Sequence, residues 1–483
     1  MKTLNYVQTR LAQAFKKNIF AGLCDRGIFC APTGTGKTGT ARAMINLYAH
    51  KFVNTGEGAG FSFFLTPRIA LTEQQALALV DFHILDADYP DLEILTHNVH
   101  SNSADDYRAR ADLEEAINSA KEQNKYLVFC STYQSARYMS GLKPDLIICD
   151  EAHNVVGDEF YETVMHYLHE GSPRVFLTAT PKEVEGQNTQ GFNNSKMYGE
   201  FLAQVAPRRA IEERLIVPPR LHVFYANSPH TQYETVVSQI IHSFDTHKNF
   251  NLALPAKVLY VMAGTEPIDV ARQHWEEIYN RTGAWVFTIV STGEFPGAFI
   301  NGRLVDRDEF FNTFVNHAGA AIMCHCRIVG EGIDLPSLTG VVLMRNTELI
   351  ATVQSVGRAL RLHSADRDAF GVGLNIEQRI KKQALVTVTV FNDNTEIQDN
   401  VGKIVKEMRK AGFDYFRERI LITHEKSNSV PDDGTPSMHD DEEIHENSKI
   451  QFELEKMMSE LEEAEYLNME SAYDKNPIYE YVK

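Results

Sequence analysis

The stretch APTGTGKT at residues 31–38 decides the fold prediction. It follows the short apolar run Gly27–Cys30 and opens a segment, 36–50, with helical periodicity. A strand, a glycine-rich turn and a helix in this order are the parts of a phosphate-binding P-loop. Glycines let backbone N–H groups approach phosphate oxygens, and the N-terminus of a helix favours negative charge. The stretch therefore predicts an α/β domain with a phosphate site at the carboxyl edge of its sheet.

Two side chains of this loop have predicted roles in phosphoryl chemistry. Lys37 is expected to reach the β and γ phosphates, and Thr38 is expected to offer its hydroxyl to Mg²⁺. Ala31 stands where the strict pattern has its first glycine. The alternative, a Gly/Thr turn with a surface lysine, is disfavoured by the strand before and the helix after the loop. The predicted nucleotide-binding residues of the loop are Thr33, Gly34, Thr35, Gly36, Lys37 and Thr38.

The segment DLIICDEAH at residues 145–153 supplies a second set of chemical groups. A buried apolar strand would deliver two carboxylates to the carboxyl edge of the sheet, where α/β proteins bind ligands. Asp150 would hold Mg²⁺, and Glu151 would orient and deprotonate the attacking water. The alternative makes Asp150 a helix N-cap and Glu151 a first-turn carboxylate. A P-loop earlier in the same domain makes this alternative the weaker one.

Short apolar runs alternate with longer periodic segments along most of the chain, which indicates parallel sheets covered on both faces. The alternation pauses at residues 215–220, LIVPPR, where two prolines cannot continue a helix and suit a linker. We therefore predict a first lobe over 1–215, a second over 216–400 and an acidic tail over 401–483. Predicted strands lie at 27–30, 61–65, 126–130, 146–149, 175–177, 257–261, 286–290, 320–324, 340–344 and 386–391, and predicted helices include 36–50 and 71–81.

Bulk properties indicate an intracellular protein, cytoplasmic or nuclear. The chain has 483 residues, of which 43% are hydrophobic, without an 18-residue apolar run or an N-terminal apolar signal core. Six cysteines lie mostly in apolar runs and are expected to be free, packed thiols. Cys324-His325-Cys326 has the wrong spacing for a zinc knuckle and no second ligand pair, so we predict that it belongs to a strand.

The net charge of −18 is concentrated at the end of the chain. Residues 421–483 carry 17 acidic and 5 basic side chains, a balance of −12, which leaves −6 for residues 1–420. An acidic tail can dominate the net charge without covering a local basic groove, so charge neither supports nor excludes nucleic acid. Residues 427–441 are rich in Ser, Pro and Asp, which predicts a linker. Apolar residues at helical spacing predict a helix over 450–469. That helix packs on the body or, alternatively, docks a protein partner.

The order of these and further motifs resembles the superfamily 2 helicases of the DEAD/DEAH type. DEAH at 150–153 resembles motif II, and QSVGRALR at 354–361 resembles motif VI. In style, motifs V and VI resemble those of type III restriction enzymes and related viral or phage DNA helicases. Motif VI here begins Gln-Ser, whereas DEAD-box proteins usually have His-Arg and the spliceosomal DEAH group Gln-Arg. The remaining matches are YVQ at 6–8, TPR with ALTEQ at 66–74 (motif Ia), STYQS at 131–135 (motif Ic), TATP at 178–181 (motif III) and GEGIDLP at 330–336 (motif V).

This resemblance implies two tandem RecA-like lobes, each a doubly wound parallel sheet, with ATP between them and an acidic, partly helical C-terminal extension. Arg358 and Arg361 would enter the cleft from the second lobe, where a guanidinium stabilises the transferring phosphoryl group. Gln354 joins them as a predicted catalytic residue. The resemblance further assigns nucleotide contacts to Gln8, Gly332 and Asp334, nucleic-acid contacts to Pro67, Arg68, Ser131 and Thr132, and coupling of hydrolysis to movement to His153, Thr178 and Thr180.

The sequence thus predicts an ATP- and Mg²⁺-dependent helicase or translocase that works on nucleic acid, DNA more than RNA. The motif styles alone favour DNA. Two alternatives remain open: a double-strand translocase or remodelling subunit that does not unwind, and an ATP-gated scaffold whose tail recruits a protein partner. Intact Lys37, Glu151, Arg358 and Arg361 disfavour an inactive ATPase.

Overall fold

The computed structural model describes most of the chain. The described residues are 2–99, 106–156, 158–162, 168–181, 191–226, 233–250, 253–290, 296–326, 335, 337–344, 355–370, 378–391 and 421–424. They fall into two compact units. The first draws on Met1–Pro218, Arg327–Leu338 and Val353–Lys382, and the second on Pro219–Cys326, Thr339–Thr352 and Gln383–Lys483. The predicted tail linker and helix lie outside the described residues.

The first unit contains a seven-stranded sheet in the order β3-β4-β2-β5-β6-β1-β7. Every neighbouring pair in it is parallel. Its strands are β1 (Arg26–Cys30), β2 (Phe61–Thr66), β3 (Ile94–Val99), β4 (Tyr126–Thr132), β5 (Ile147–Cys149), β6 (Arg174–Thr178) and β7 (Glu200–Gln204). Its helices are α1 (Tyr6–Phe15), α2 (Lys37–Thr55), α3 (Ile69–Asp81), α4 (Asp106–Glu122), α5 (Asp158–Glu162), α6 (Ser195–Tyr198) and α7 (Pro207–Glu212), with a further helix at Ser364–Phe370.

Alternating side chains of the central strands pack into two cores, one on each face of this sheet. In β2, Phe64 joins a cluster with residues of α1 and α2, such as Phe15 and Met44. Phe63 points to the opposite cluster, which contains Phe176. A strand buried on both faces has a continuous apolar sequence, which is why these strands were predictable from the sequence.

The second unit is built on a nine-stranded sheet in the order β12-β11-β10-β13-β9-β14-β15-β8-β16. Its strands are β8 (Pro219–Ala226), β9 (Lys257–Val261), β10 (Trp285–Val290), β11 (Gly297–Ile300), β12 (Arg303–Val305), β13 (Ala321–His325), β14 (Gly340–Leu343), β15 (Ala384–Phe391) and β16 (Leu421–His424). Its helices are α8 (Tyr233–Phe250), α9 (Thr265–Gln273), α10 (Trp275–Thr282) and α11 (Arg307–Asn316). Among these strands the pairs β10–β11 and β11–β12 are antiparallel, and the other neighbouring pairs are parallel. A doubly wound α/β fold is thus confirmed for both units.

All the strands predicted from apolar runs are present, with bounds shifted by one or two residues at most ends. Cys324 lies in β13, as expected, and all six cysteines are free thiols. The proline pair belongs partly to a strand: Pro219 is the first residue of β8. The first position of a strand tolerates proline because its missing N–H is not needed there. Among the described residues, no helix is both long and apolar enough to cross a membrane.

Two buried histidines in the second unit predict acid sensitivity. The Thr387 hydroxyl lies 2.8 Å from His222 Nδ1 and 2.8 Å from His247 Nε2. Burial lowers the pKa of His222 to about 3 and that of His247 well below its usual value. The unfolded chain takes up these protons near pH 6.5 and the folded chain does not, so stability falls as pH drops below about 6.5.

We expect His222 alone to lower the unfolding free energy by about 2 kcal/mol between pH 7 and pH 5, at about 1.4 kcal/mol per pKa unit, and His247 to change it in the same direction. Denaturant titration at the two pH values measures it. His222→Gln should reduce the pH dependence, whereas His50→Gln, at an exposed site in the first unit, should leave it unchanged. Equal pH dependence in wild type and His222→Gln would contradict this account.

Candidate nucleotide site

The carboxyl ends of five parallel strands bring the predicted motifs to one edge of the first sheet. The P-loop follows β1, the DEAH segment follows β5, and the TATP segment begins at the last residue of β6. These strands are neighbours in the order β5-β6-β1. Thr66-Pro67-Arg68 follows β2, and Ser131-Thr132 ends β4. The sheet therefore places the P-loop, the Asp150–Glu151 carboxylates and the segments predicted to bind nucleic acid at one edge.

Two glycines give the P-loop its shape. Gly34 and Gly36 have φ angles of +87° and +88°, which side-chain-bearing residues rarely adopt. Gly36 is the N-cap of α2, so the loop ends at the positive end of a 19-residue helix. The Ala31 N–H donates to the Thr178 carbonyl at 3.0 Å, which fixes the loop to the end of β6. The Thr35 hydroxyl donates to the Pro32 carbonyl at 2.8 Å and closes the turn.

Lys37 and Thr38 occupy the first turn of α2. Lys37 Nζ lies 3.5 Å from the Ala31 carbonyl, so the ammonium folds back over the loop. The Thr38 hydroxyl donates to Gln75 Oε1 of α3 at 2.6 Å. When a hydroxyl donates its proton to a neighbouring acceptor, its lone pairs stay available to a cation, and the hydrogen bond fixes their direction. Gln75 thus orients the hydroxyl that was predicted to meet Mg²⁺.

Asp150 and Glu151 stand at the turn after β5. The Asp150 N–H donates to the Leu65 carbonyl at 2.8 Å, and the Tyr133 hydroxyl donates to the Asp150 carbonyl at 2.7 Å. Glu151 has φ 48° and ψ 46°, a left-handed conformation that costs about 1–3 kcal/mol in a residue other than glycine. It precedes a 3₁₀ turn, Ala152–Val155, and makes no capping hydrogen bond with its side chain. The geometry therefore gives no support to reading this pair as helix caps.

The Asp150 carboxyl has the properties of a metal ligand. Its Oδ1 atom is buried and has no hydrogen-bond partner within the part of the chain that the structure describes. Burial first, and the Glu151 charge second, raise the pKa of Asp150 to about 7, while Lys37 opposes the shift. A buried oxygen without a partner is costly unless a ligand completes it. Asp150 and Thr38 together offer the oxygen donors that Mg²⁺ prefers, so these residues fit the ion.

His153, Thr178 and Thr180 form a chain of contacts beneath the carboxylates. His153 Nδ1 lies 3.6 Å from Glu151 Oε2 and 3.4 Å from the Thr178 hydroxyl. The Thr180 N–H donates to the Thr178 hydroxyl at 3.1 Å. The structure thus brings together the three residues predicted to couple hydrolysis to movement, and it joins them to Glu151.

The arginine-bearing segment of residues 355–361 lies against the P-loop, within the first unit. A methyl group placed on Gly34 would lie 2.9 Å from Arg361 Cγ. One placed on Gly357 would lie 3.1 Å from Thr33 Cβ. The Val217 N–H donates to the Leu360 carbonyl at 2.8 Å. Arg358 is buried, and Arg361 is half-buried. Backbone spacing at both glycines therefore sets how closely Arg361 approaches the loop.

Gly34→Ala should separate the backbone cost of a left-handed residue from the cost of displacing Arg361. Gly56, the C-cap of α2, has φ +68° and nothing within 4 Å of an added methyl group. Both alanine variants should lose about 1–2 kcal/mol of unfolding free energy because both force a left-handed alanine. Only Gly34→Ala should also lower the rate of nucleotide hydrolysis, about tenfold for each 1.4 kcal/mol lost in the transition state.

Denaturant titration and steady-state hydrolysis measure the two effects. Similar hydrolysis rates for the Gly34 and Gly56 variants would show that the contact between Arg361 and the P-loop does not contribute to catalysis.

Gln8 reaches the P-loop from α1. Its Nε2 donates to the Gly36 carbonyl at 2.9 Å, and its Oε1 accepts from the Asn5 N–H at 2.9 Å. Asn5 caps the helix in return, and its Nδ2 donates to the Thr35 carbonyl at 3.0 Å. Gln8 therefore fixes the loop backbone; the adenine contact that the resemblance implies stays a prediction.

The four predicted nucleic-acid residues divide into exposed and buried pairs. Arg68 is exposed and Pro67 half-buried at the start of α3. Ser131 and Thr132 are buried, and their hydroxyls donate to the Val99 carbonyl at 3.2 Å and to Ser135 Oγ at 3.0 Å. Arg68 thus presents a charge at this edge, while the two hydroxyls are already bound within the protein. Gln354, Gly332 and Asp334 lie outside the described residues.

Sequence reasoning overlooked three side chains of the site: Gln75, Asn5 and the role of Tyr133. Asn5-x-x-Gln8 before an apolar helix is a capping-box signature, so Asn5 carried a usable signal. Gln75 carried none, because its partner Thr38 is remote in sequence. The hydroxyl of Tyr133 is bonded to the carbonyl of Asp150, and its N–H donates to Thr66.

Comparison with known proteins agrees with this geometry. Residues 1–183 match the family model described as type III restriction enzyme, res subunit. Probable helicases of African swine fever virus are 25% identical over 229 residues, which cover 44% of this chain and 24% of the viral protein. The resemblance to superfamily 2 helicases is confirmed.

Two solved structures show that other proteins share the fold. The type ISP restriction-modification enzyme LlaBIII bound to DNA superimposes with a TM-score of 0.63 at 16% identity, over 89% of this chain and 32% of that one. Mss116p bound to single-stranded RNA and AMP-PNP gives 0.54 at 13% identity, over 88% and 75%. At such identities the likeness is one of fold. The chain spans about a quarter of the length of its viral relatives.

Proposed function

We propose that the chain hydrolyses ATP to drive movement on nucleic acid. The observation that carries this proposal is the convergence on one loop of Lys37, the Asp150–Glu151 turn and Arg361. The loop offers backbone N–H groups to phosphates, and Arg361 packs on Gly34 of the same loop. The relatives of the chain include probable helicases, and the structure of Mss116p has been solved with an ATP analogue.

Each group has a step to perform in hydrolysis. Thr38 and Asp150 would hold Mg²⁺, which would supply positive charge to the phosphates. Lys37 binds the same phosphates. Glu151 accepts a proton from the attacking water, and the guanidiniums of Arg358 and Arg361 stabilise the negative charge that spreads over the γ-phosphate oxygens.

Contacts within the first unit link this site to the edge that would meet nucleic acid. The Thr66 and Thr72 hydroxyls lie 2.5 Å apart, and that of Thr72 donates to the Arg68 carbonyl at 3.0 Å. Arg68 therefore starts the helix that carries Gln75 to Thr38. A phosphate held by Arg68 would bias the position of α3, and through it the metal-binding hydroxyl. Such coupling requires only that the nucleic-acid strand bind with different affinity to two states of the protein that differ in the position of α3.

DNA is our preferred substrate, on the style of motifs V and VI. Both classes of nucleic acid occur among the fold relatives, DNA with LlaBIII and RNA with Mss116p. ATPase rates with single-stranded DNA, duplex DNA and RNA therefore test function and preference together. We expect stimulation by at least one of them, largest with DNA, and loss of activity in Lys37→Ala.

Strand-displacement and translocation assays then show whether ATP hydrolysis drives unwinding or only movement along the nucleic acid. Stimulated hydrolysis with translocation and no displacement would assign a translocase or remodelling role. Identical ATPase rates with and without each nucleic acid would overturn the motor proposal. Binding carried by phosphate contacts should weaken with salt, with a logarithmic slope of about −0.7 per phosphate on single strands.

A further inference from the structure

A buried lysine holds the end of the arginine-bearing segment. Lys381 is 0% exposed, and its Nζ donates to the Arg361 carbonyl at 2.7 Å and to the carbonyl of Ala359. Residues 355–359 are helical, so the Ala359 carbonyl lies at the end of this helix, where carbonyls lack partners within the helix, and the Arg361 carbonyl lies two residues beyond it. A cation is the favoured partner at this end, where the helix dipole is negative.

Asp366 fixes the backbone from which this lysine extends. Its Oδ1 accepts from the Ile380 N–H and its Oδ2 from the Lys381 N–H, each at 3.0 Å. Asp366 itself is buried in the helix Ser364–Phe370. One carboxylate thus holds two backbone amides, and the lysine ammonium holds two carbonyls. The result is a clip between residues 380–381 and the turn that ends at Arg361.

The turn held by this clip is the one that meets the P-loop. Arg361 Cγ lies against Gly34, and Gly357 lies against Thr33. We propose that Lys381 is a positioning residue for phosphoryl transfer, which sets the reach of Arg361 over the P-loop by holding the carbonyls of Ala359 and Arg361. The inference rests on the proposed ATPase function and adds a residue outside the helicase motifs.

Burial gives this clip a pH dependence. Burial, with the charges of Arg367 and Arg361, lowers the pKa of Lys381 to about 7, and Asp366 opposes the shift. Below that pH the ammonium makes charge-assisted hydrogen bonds, which are about twice as strong as neutral ones. Above it the neutral amine holds the turn more weakly. The turnover number should therefore fall as pH rises through about 7.

Lys257 provides a matched control in the second unit. It is also buried, and its Nζ donates to the carbonyls of Phe314 and Val315 at the end of α11, at 2.9 and 3.2 Å. Burial lowers its pKa to about 8. Lys257→Met therefore removes a buried lysine from a helix end that carries no arginine of the nucleotide site.

The experiment compares Lys381→Met, Lys381→Arg and Lys257→Met in nucleic-acid-stimulated ATPase assays from pH 6 to 9, with melting temperatures measured in parallel. For Lys381→Met we expect the turnover number to fall about 10- to 100-fold, since a misplacement of about 1 Å costs up to about 100-fold. Its KM for ATP should stay within about twofold because the P-loop is intact. The fall in rate above pH 7 should vanish in this variant, and Lys381→Arg should recover part of the rate.

Lys257→Met should lose stability and keep its turnover number below its melting temperature. Wild-type turnover in Lys381→Met, or equal loss in the two methionine variants, would overturn the inference while leaving the ATPase function in place. An inactive wild type would overturn both. If Lys381→Met does not fold, the wild-type pH profile decides: a turnover number that stays flat between pH 6 and 9 refutes the positioning role.

Discussion

Glu151→Gln should lower the turnover number for ATP by about 10²–10⁴, the usual contribution of a general base. Glutamine keeps the size of the side chain and cannot accept the proton of the attacking water. The backbone at Glu151 is left-handed, a conformation that is strained in a residue other than glycine. Strain held at one residue next to a buried carboxylate is typical of functional sites.

ATP binding should survive this substitution, because the phosphate contacts belong to the P-loop. Equilibrium titration with a fluorescent ATP analogue, beside single-turnover hydrolysis, separates the two effects. Glu114→Gln, an exposed carboxylate of α4, serves as the matched control and should behave as wild type. Hydrolysis within about tenfold of wild type in Glu151→Gln would remove Glu151 from the role of base, since that is less than the range expected of one.

The parts of the site that the sequence predicted are those carried by local pattern. The P-loop needs glycines at two left-handed positions separated by one residue, and Gly34 and Gly36 occupy them. Strands buried on both faces have continuous apolar runs, which is why β1, β2, β4 and β5 were predicted within a residue or two. Parallel pairing then requires their carboxyl ends to meet, so the sequence alone places Lys37 and Asp150 at one edge of the sheet.

The parts that escaped prediction depend on partners remote in sequence or on half-exposed strands. β7 has the sequence EFLAQ and lies at an edge of the sheet. Only one of its five residues is buried, so it lacks the continuous apolar run of the central strands. β8 begins with a proline that resembled a linker, although it is paired on both sides by β15 and β16. Gln75 and Lys381 carry no motif: their importance comes from partners 37 and 20 residues away. Tertiary packing determines such contacts, and the local sequence pattern does not predict them.

Arg361→Ala should lower the turnover number by about 10³ or more, the effect expected when a guanidinium that stabilises the transferring phosphoryl group is removed. Arg361→Lys should recover little of it. Guanidinium has five N–H donors in a planar fork that matches phosphate oxygens, whereas ammonium is a compact point charge on a different stem. The backbone pairing of Arg361 with Ile216 does not involve the side chain, so the turn should keep its place in both variants.

If Arg361 formed only an ion pair at the protein surface, the expected result would be different. A surface pair is worth about 0–1 kcal/mol, so its loss would cost less than about tenfold in rate. Arg281→Ala, at an exposed position of α10, shows the size of such an effect. A complex with ADP and aluminium fluoride, which mimics the transferring phosphoryl group, sharpens the test. Arg361→Ala should bind this mimic far more weakly and ATP about equally well, because catalysis requires contacts that strengthen in the transition state. Parallel losses for the mimic and for ATP would instead make Arg361 an ordinary binding residue.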